Sequence, residues 1–274
     1  AISEIELMGG KVRARFFHTL EHRGVLILEG EGLGSRVTDV DPHEEGYPVL
    51  KPLGLDSASQ ETAKALEEFL ARCFSILSQH DVNKRRAERG LPPANLVLIR
   101  GASRAARMDP FESRWGMKAA LVAAGPLYKG IGRALGMEVP DVKGATGLPE
   151  SNFRGKIQKA LSLLERGYDF VLVHIKGTDV ASHMRDPELK VEVIERVDEA
   201  LDPLTDPPEE LLIVITGDHA TPCSTGKHSG DPVPLLVSGR GVPRDDAGRF
   251  EELWAIRGGL GTVVGSQLMQ MILN

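Results

Sequence analysis

The sequence is short of three features, and each absence excludes a class of protein. It has only two cysteines, Cys73 and Cys223, which cannot make a disulfide framework and whose separation matches no zinc ribbon. It has no excess of positive charge: 33 Lys and Arg stand against 39 Asp and Glu, so we expect no nucleic-acid partner. It has no apolar run near the ~20 residues that cross a bilayer, so we expect no membrane partner.

The first ten residues, AISEIELMGG, also lack the basic lead and the apolar stretch of a secretory signal peptide. Reduced thiols are the ordinary state of cysteine in the cytosol. We therefore expect a cytoplasmic protein. The sequence has no initiator methionine and opens in mid-pattern, so we expect a fragment of a longer polypeptide. The sequence leaves the oligomeric state open.

The 274 residues contain enough apolar material for a sizeable core, with 41% hydrophobic and 26% charged residues. The first part of the chain is irregular. Its pattern predicts a strand at 24–33, a loop at 38–56, one amphipathic helix at 58–87 and a buried strand at 96–101. A boundary near residue 100 divides the chain into two predicted domains, 1–100 and 101–274.

The second part alternates between helices and apolar strands. We predict helices at 117–135, 153–167 and 187–204, and strands at 169–177, 210–219 and 232–239. Continuous apolar strands between amphipathic helices indicate an α/β fold with a mostly parallel sheet, covered by helices on both faces.

Two of these strands end in residue types that bind metals, and ligands gather at the carboxyl ends of strands in such sheets. Asp179 and His183 follow the first strand, four residues apart, so one helical turn would place both on one face. Asp218 and His219 end the second strand, and His228 follows in a Pro/Ser/Gly-rich loop. Three His and two Asp suit Zn²⁺ or Mn²⁺ better than Ca²⁺. Two such ions about 4 Å apart could clamp an in-line phosphoryl transfer.

Simpler interpretations exist for each motif alone. An Asp four residues before a His is more often the exposed start of a helix, with Asp near the N-cap. Asp-His before a turn can be ordinary turn chemistry. Four of the eight His of the chain fall between 174 and 228, and three of those four lie in the segments at the strand ends, so the conjunction favours a metal site. The fourth, His174, lies inside an apolar strand and is predicted to be a core histidine.

The runs HIKGTDVASHMRDPELKVEVIERVDEAL and VITGDHATPCSTGKHSGDPVPLL resemble the core of the cofactor-independent phosphoglycerate mutases. The resemblance is to the archaeal-type branch, within the alkaline phosphatase superfamily. GATG at 144–147 and HRGVLILEGEGLGSRVTDVDPH at 22–43 resemble the same branch. The resemblance extends over essentially the whole chain.

The resemblance implies an alkaline-phosphatase-like core at 101–274 and an inserted, smaller α+β substrate domain at 1–100. It implies interconversion of 3-phosphoglycerate and 2-phosphoglycerate through a phosphoserine, in glycolysis and gluconeogenesis, with no requirement for 2,3-bisphosphoglycerate. It implies two divalent ions, Mn²⁺ first and otherwise Zn²⁺, Mg²⁺ or Co²⁺. Matched by motif, Asp179, His183 and His228 would bind one ion, and Asp218 and His219 would bind the other.

The sequence departs from the family at its beginning. The family carries an Asp-Gly metal ligand on its first strand and a nucleophilic serine soon after, and neither segment matches here. We therefore expect the core to lack its N-terminal part and the catalytic nucleophile to be missing from this chain. Two alternatives stay open: a metal-dependent phosphatase or phosphonate hydrolase on the same core, and a non-catalytic truncated relative.

A substrate with a phosphate and a carboxylate calls for cationic side chains. Arg23 and Arg100 are predicted to bind it because each adjoins a predicted strand end, although a solvated basic loop explains either one as well. Lys176, just before Asp179, could face the transferring phosphoryl group. Asp41 and His43 could make a small polar site, which a proline turn also explains.

Overall fold

The computed structural model describes residues 1–42 and 45–273, so His43 lies outside the described residues. The chain divides into two compact units, 1–107 and 108–274. Among the described residues, no helix combines the length and the apolar character needed to cross a membrane.

The first unit is built on an antiparallel sheet in the order β1 (Glu4–Leu7), β2 (Val12–His18), β3 (Gly24–Gly30). Alternate residues of β2 point to one face, where Val12 and Ala14 are buried. Helix α1 (Ser57–Ser78) covers that face and contributes Phe69 and Cys73 to the shared core.

The predicted single helix at 58–87 is wrong, because the structure has two helices. Helix α1 ends at Ser78, and α2 (Asp81–Glu88) begins after His80, whose backbone is extended and whose ring accepts a hydrogen bond from Val82 N. The apolar spacing ends at Leu77, and His80, whose backbone is outside helical geometry, caps the second helix and separates the two.

The strand predicted at 96–101 is also absent. Val97 and Ile99 pack against the core between the sheet and α1, which accounts for the apolar pattern. The Ile99 carbonyl accepts a hydrogen bond from Val40 N, but no ladder of such bonds forms. The predicted loop at 38–56 contains no helix or strand within its described residues.

The two cysteines have different environments, and this predicts different reactivity. Cys73 is fully buried, and burial raises the pKa of its thiol to about 11, whereas Cys223 is partly exposed. Because the thiolate is the reactive form, we expect a maleimide at pH 8 to modify Cys223 in the folded protein and Cys73 only after denaturation. Peptide mass spectrometry of the modified chain checks this, with Cys223→Ser as the control. Equal labelling of both thiols in the folded chain would contradict the buried position of Cys73.

The second unit contains the regular strand–helix alternation. Its elements are α3 (Phe111–Trp115), β4 (Ala119–Val122), α4 (Pro126–Ala134), α5 (Phe153–Glu165), β5 (Phe170–Val173), α6 (Gly177–His183), α7 (Pro187–Ala200), β6 (Ile213–Thr216), β7 (Leu235–Ser238), α8 (Glu252–Ala255) and α9 (Leu268–Leu273). Helices α5 and α7 pack on each other through Phe153, Ile157 and Val193.

The described strands of the second unit form two separate two-stranded sheets, so the prediction of one mostly parallel sheet is not confirmed. Strands β4 and β5 are parallel, with Ala120 opposite Val171, while β6 and β7 are antiparallel, with Val214 opposite Val237. A parallel neighbour needs a crossover, usually a helix, to return the chain to the starting end. Residues 217–234 contain no helix, so β7 runs back along β6.

The helix predicted at 117–135 is wrong in its first half. The run Ala119–Val122 is the buried strand β4, and the helix α4 starts only at Pro126. Alanine-rich sequence favours helix locally, but four consecutive buried positions beside β5 suit an interior parallel strand. Gly125 and Pro126 mark the change from one element to the other.

Candidate metal centre

Three residues separate the end of β5 from helix α6, which carries two of the predicted ligands. Its first residue, Gly177, is buried, and a Cβ there would lie 3.1 Å from Val193 Cγ1 and 3.2 Å from Pro149 Cα. A larger residue at this position would require Val193 or the backbone at Pro149 to shift by a few tenths of an ångström, so glycine suits this close approach to α7. Asp179 and His183 share one face of α6, as their spacing predicts, with 3.3 Å between Asp179 Oδ1 and His183 Nε2.

The loop after β6 brings the third residue to the same place. Gly226 N donates to the Pro222 carbonyl, and Gly226 has a φ of +61°, so the chain turns sharply there. Ser229 N then donates to the Ala220 carbonyl at 3.0 Å. This contact pins the returning chain beside the end of β6, and His228 consequently lies next to α6.

Asp179, His183 and His228 present three ligand atoms to one point. Asp179 Oδ1 lies 3.3 Å from His183 Nε2 and 3.5 Å from His228 Nε2, and the two nitrogens are 3.1 Å apart. Bonds of ~2.0–2.1 Å to a tetrahedral ion place neighbouring ligand atoms ~3.3–3.4 Å apart. The three distances bracket that separation, so the three atoms can form one face of a coordination sphere.

The orientation of His183 suits this role. Its Nδ1 lies 2.9 Å from the Gly226 carbonyl oxygen, which can only accept, so Nδ1 carries the proton. In the neutral ring Nε2 is then bare and points toward Asp179 and His228. Metal-binding histidines are commonly fixed in this way by a carbonyl on the other ring nitrogen.

Asp218 and His219 form a neighbouring pair rather than part of the three-residue group. Asp218 Oδ2 and His219 Nε2 are 3.5 Å apart. The His219 ring stacks on the His228 ring, with 3.7 Å between centroids. The pair therefore adjoins the first group, and these two residues could hold a second ion together with further ligands.

Lys176 lies within the site. Its Nζ donates to Asp179 Oδ2 at 2.6 Å. The Asp179 side chain is 14% exposed, and burial alone would raise its pKa, but hydrogen bonds from Lys176 and Thr221 hold that pKa below its usual value. Asp179 is therefore a carboxylate at neutral pH.

The two predicted arginines belong to the first unit, whereas the residues of the metal group belong to the second. Arg23 is exposed in the turn between β2 and β3, where its carbonyl accepts from Thr19 N. Arg100 is exposed beside Gly101, whose N donates to Asp39. Their role toward a substrate stays a prediction.

His174 follows β5 directly, and its ring stacks on Tyr128 with 3.5 Å between centroids. Burial, with a smaller contribution from Lys156, lowers the pKa of His174 to about 4. The imidazole is therefore neutral at physiological pH, and it packs as a core side chain does.

Sequence reasoning missed Thr221, which is 6% exposed and lies between the two groups of predicted ligands. Its hydroxyl is 3.0 Å from Asp179 Oδ1 and 3.1 Å from His219 Nδ1. The only signal available was its position two residues after His219, and threonine in a turn has no specific meaning by itself.

Comparison with known proteins places this chain in a family. The sequence pattern of the metalloenzyme superfamily matches residues 33–274. A 2,3-bisphosphoglycerate-independent phosphoglycerate mutase of Methanocaldococcus jannaschii is 40% identical over 277 residues, which cover all of this chain and 67% of that protein. The chain belongs to the metalloenzyme superfamily, among the 2,3-bisphosphoglycerate-independent phosphoglycerate mutases.

Other members of this mutase family give the same picture. The Pyrococcus horikoshii mutase is 45% identical over 256 residues, covering 92% of this chain and 62% of its own length. The solved cofactor-independent phosphoglycerate mutase of Thermoplasma acidophilum is 35% identical with a TM-score of 0.68, covering 98% of this chain and 67% of that one. The metalloenzyme fold is thus shared. The chain spans 62–65% of the length of the first three curated mutases it matches.

Proposed function

We propose that this chain carries the metal centre of a 2,3-bisphosphoglycerate-independent phosphoglycerate mutase, which interconverts 3-phosphoglycerate and 2-phosphoglycerate in glycolysis and gluconeogenesis. The observation that carries the proposal is the triangle of Asp179 Oδ1, His183 Nε2 and His228 Nε2, with sides of 3.1–3.5 Å. The mutase relatives support the choice of reaction. Two unpaired cysteines support a cytoplasmic location.

We assign two divalent ions to this centre, with Mn²⁺ first and Zn²⁺, Mg²⁺ or Co²⁺ as substitutes. Asp179, His183 and His228 hold one ion, and Asp218 and His219 contribute to the other. When bound, the ions neutralise phosphoryl oxygens and lower the pKa of an attacking hydroxyl. The donor set of carboxylate and imidazole matches Mn²⁺ and Zn²⁺.

Cationic side chains of the chain bind the anionic substrate. Lys176 is about one-third exposed and uses one N–H on Asp179, so two N–H groups remain for a phosphoryl oxygen. We assign the exposed guanidinium groups of Arg23 and Arg100 to the anionic groups of the phosphoglycerate, since guanidinium binds carboxylate and phosphate in two-point contacts.

The test is turnover by the protein as its gene encodes it, purified, freed of metal and reloaded with Mn²⁺. We expect ³¹P NMR to show conversion of 3-phosphoglycerate into 2-phosphoglycerate without added 2,3-bisphosphoglycerate. We expect Lys176→Met to raise KM, while Lys159→Met, on α5, serves as the matched control. Release of inorganic phosphate would indicate a hydrolase instead of a mutase. Bound metal without turnover would indicate a non-catalytic relative.

A further inference from the structure

A single hydroxyl connects the two groups of predicted metal ligands. Thr221 Oγ1 lies 3.0 Å from Asp179 Oδ1 and 3.1 Å from His219 Nδ1. Asp179 follows β5, whereas His219 follows β6, so Thr221 joins the ends of two strands that do not pair with each other in the described chain. The same carboxylate oxygen, Oδ1, faces both His183 and His228.

The direction of the two hydrogen bonds follows from donor counting. A threonine hydroxyl has one hydrogen, and an ionised carboxylate can only accept, so the Thr221 hydroxyl donates to Asp179. Its oxygen is then the acceptor for the His219 ring, and His219 Nδ1 must carry the proton. The Nε2 atom of neutral His219 is therefore bare, which is the state a metal ligand needs.

The surroundings hold Thr221 in place for this task. Its carbonyl accepts from Lys190 Nζ at 3.2 Å, which ties it to α7. Pro222 follows and restricts the backbone of Thr221 to extended conformations. The β-branched side chain has few rotamers, and it is buried. The hydroxyl is thus preorganised between its two partners.

We propose that Thr221 is the positioning residue that couples the two halves of the metal centre. It aims Asp179 Oδ1 at His183 and His228, and it fixes the tautomer of His219. This role deepens the proposed function, since the ions concerned are those of the proposed mutase. It concerns metal binding alone and does not depend on which phosphoryl reaction follows.

The first test is the tautomer of His219 in the metal-free protein. Long-range ¹H–¹⁵N correlation spectra of ¹⁵N-histidine-labelled protein distinguish a protonated Nδ1 from a protonated Nε2. We expect the Nδ1–H form of His219 in the wild type and a shift toward Nε2–H in Thr221→Val, which keeps the shape but lacks the hydroxyl. An Nε2–H tautomer in the wild type would overturn the proposal, whatever the variants do.

The second test is Mn²⁺ affinity by calorimetry. We expect Thr221→Val to bind Mn²⁺ about 10–100-fold more weakly, the usual effect of losing an outer-shell partner. We expect Thr221→Ser, which retains the hydroxyl, to recover most of the affinity. Unchanged affinity in folded Thr221→Val would overturn the proposal. If both tests give the expected results but the wild-type protein shows no mutase turnover, the proposed function is contradicted and the role of Thr221 is not.

Discussion

Replacing Asp179 with asparagine should abolish tight binding of one Mn²⁺ ion while leaving the protein folded. Asp179 Oδ1 is the one anionic atom of the three-atom face, and the imidazoles of His183 and His228 are neutral ligands. Loss of an outer-shell partner alone costs 10–100-fold in affinity. We therefore expect loss of this ligand to weaken binding by more than about 100-fold in a calorimetric titration.

The matched control for this variant is Asp198→Asn, which makes the same change at an exposed position on α7. It should bind Mn²⁺ as the wild type does. The Asp179→Asn variant also leaves Lys176 without its carboxylate partner, so thermal unfolding of both variants should accompany the titration. A folded Asp179→Asn protein with wild-type affinity would remove Asp179 from the metal centre.

The stability of the wild type relative to Lys156→Met should rise between pH 8 and pH 10.5, because Lys156 is buried. The Lys156 side chain is 1% exposed, its Nζ donates to the His174 carbonyl at 3.0 Å, and no carboxylate pairs with it among the described residues. Burial, and then the nearby charge of Lys129, lower the pKa of Lys156 from 10.5 to about 8. The charged form is thus disfavoured in the folded state.

Proton linkage gives the sign and the size of the Lys156 contribution to the free energy of unfolding. Below pH 8 the lysine is charged in both states, so the full cost of the buried charge is present. Between pH 8 and 10.5 Lys156 binds more protons in the unfolded chain than in the folded chain, so its contribution to the free energy of unfolding rises with pH. The pKa difference corresponds to about 3 kcal/mol at most.

Lys156→Met should remove this rise. The variant should also be more stable than the wild type at pH 7, since an apolar side chain of similar volume often tolerates burial better than a charge. Denaturant unfolding at several pH values between 7 and 10.5 measures both effects, with Lys159→Met as the control on the same helix. A constant difference between wild type and Lys156→Met across this range would contradict the buried charge.

Part of the metal centre could be predicted because local rules govern it. The four-residue spacing of Asp179 and His183 determines that they share a face once a helix begins at Gly177. The position of His228 depends instead on the turn at Pro222–Gly226 and on one backbone contact of Ser229, which spacing does not reveal. The hydrogen bonds of Thr221 cannot be predicted from the sequence, because they form only when the segments that follow β5 and β6 come together in the fold.

In the fold, too, the elements governed by local sequence signals could be predicted, and those governed by long-range contacts could not. Helices α5 and α7 were predicted within a few residues because their amphipathic pattern and flanking turns are local signals. The local pattern predicts helix at strand β4 because its alanines favour helix, and burial beside β5 explains why the segment is a strand. Lys156 has the sequence appearance of a polar surface residue, and its burial depends on the carbonyl of His174.

The most direct test of the metal centre is the anomalous scattering of Mn²⁺ in crystals of this protein grown with the ion. The account predicts a peak within ~2.0–2.3 Å of Asp179 Oδ1, His183 Nε2 and His228 Nε2, with a second beside Asp218 and His219. A map with no peak between Asp179, His183 and His228, in crystals where Mn²⁺ is bound elsewhere, would contradict it.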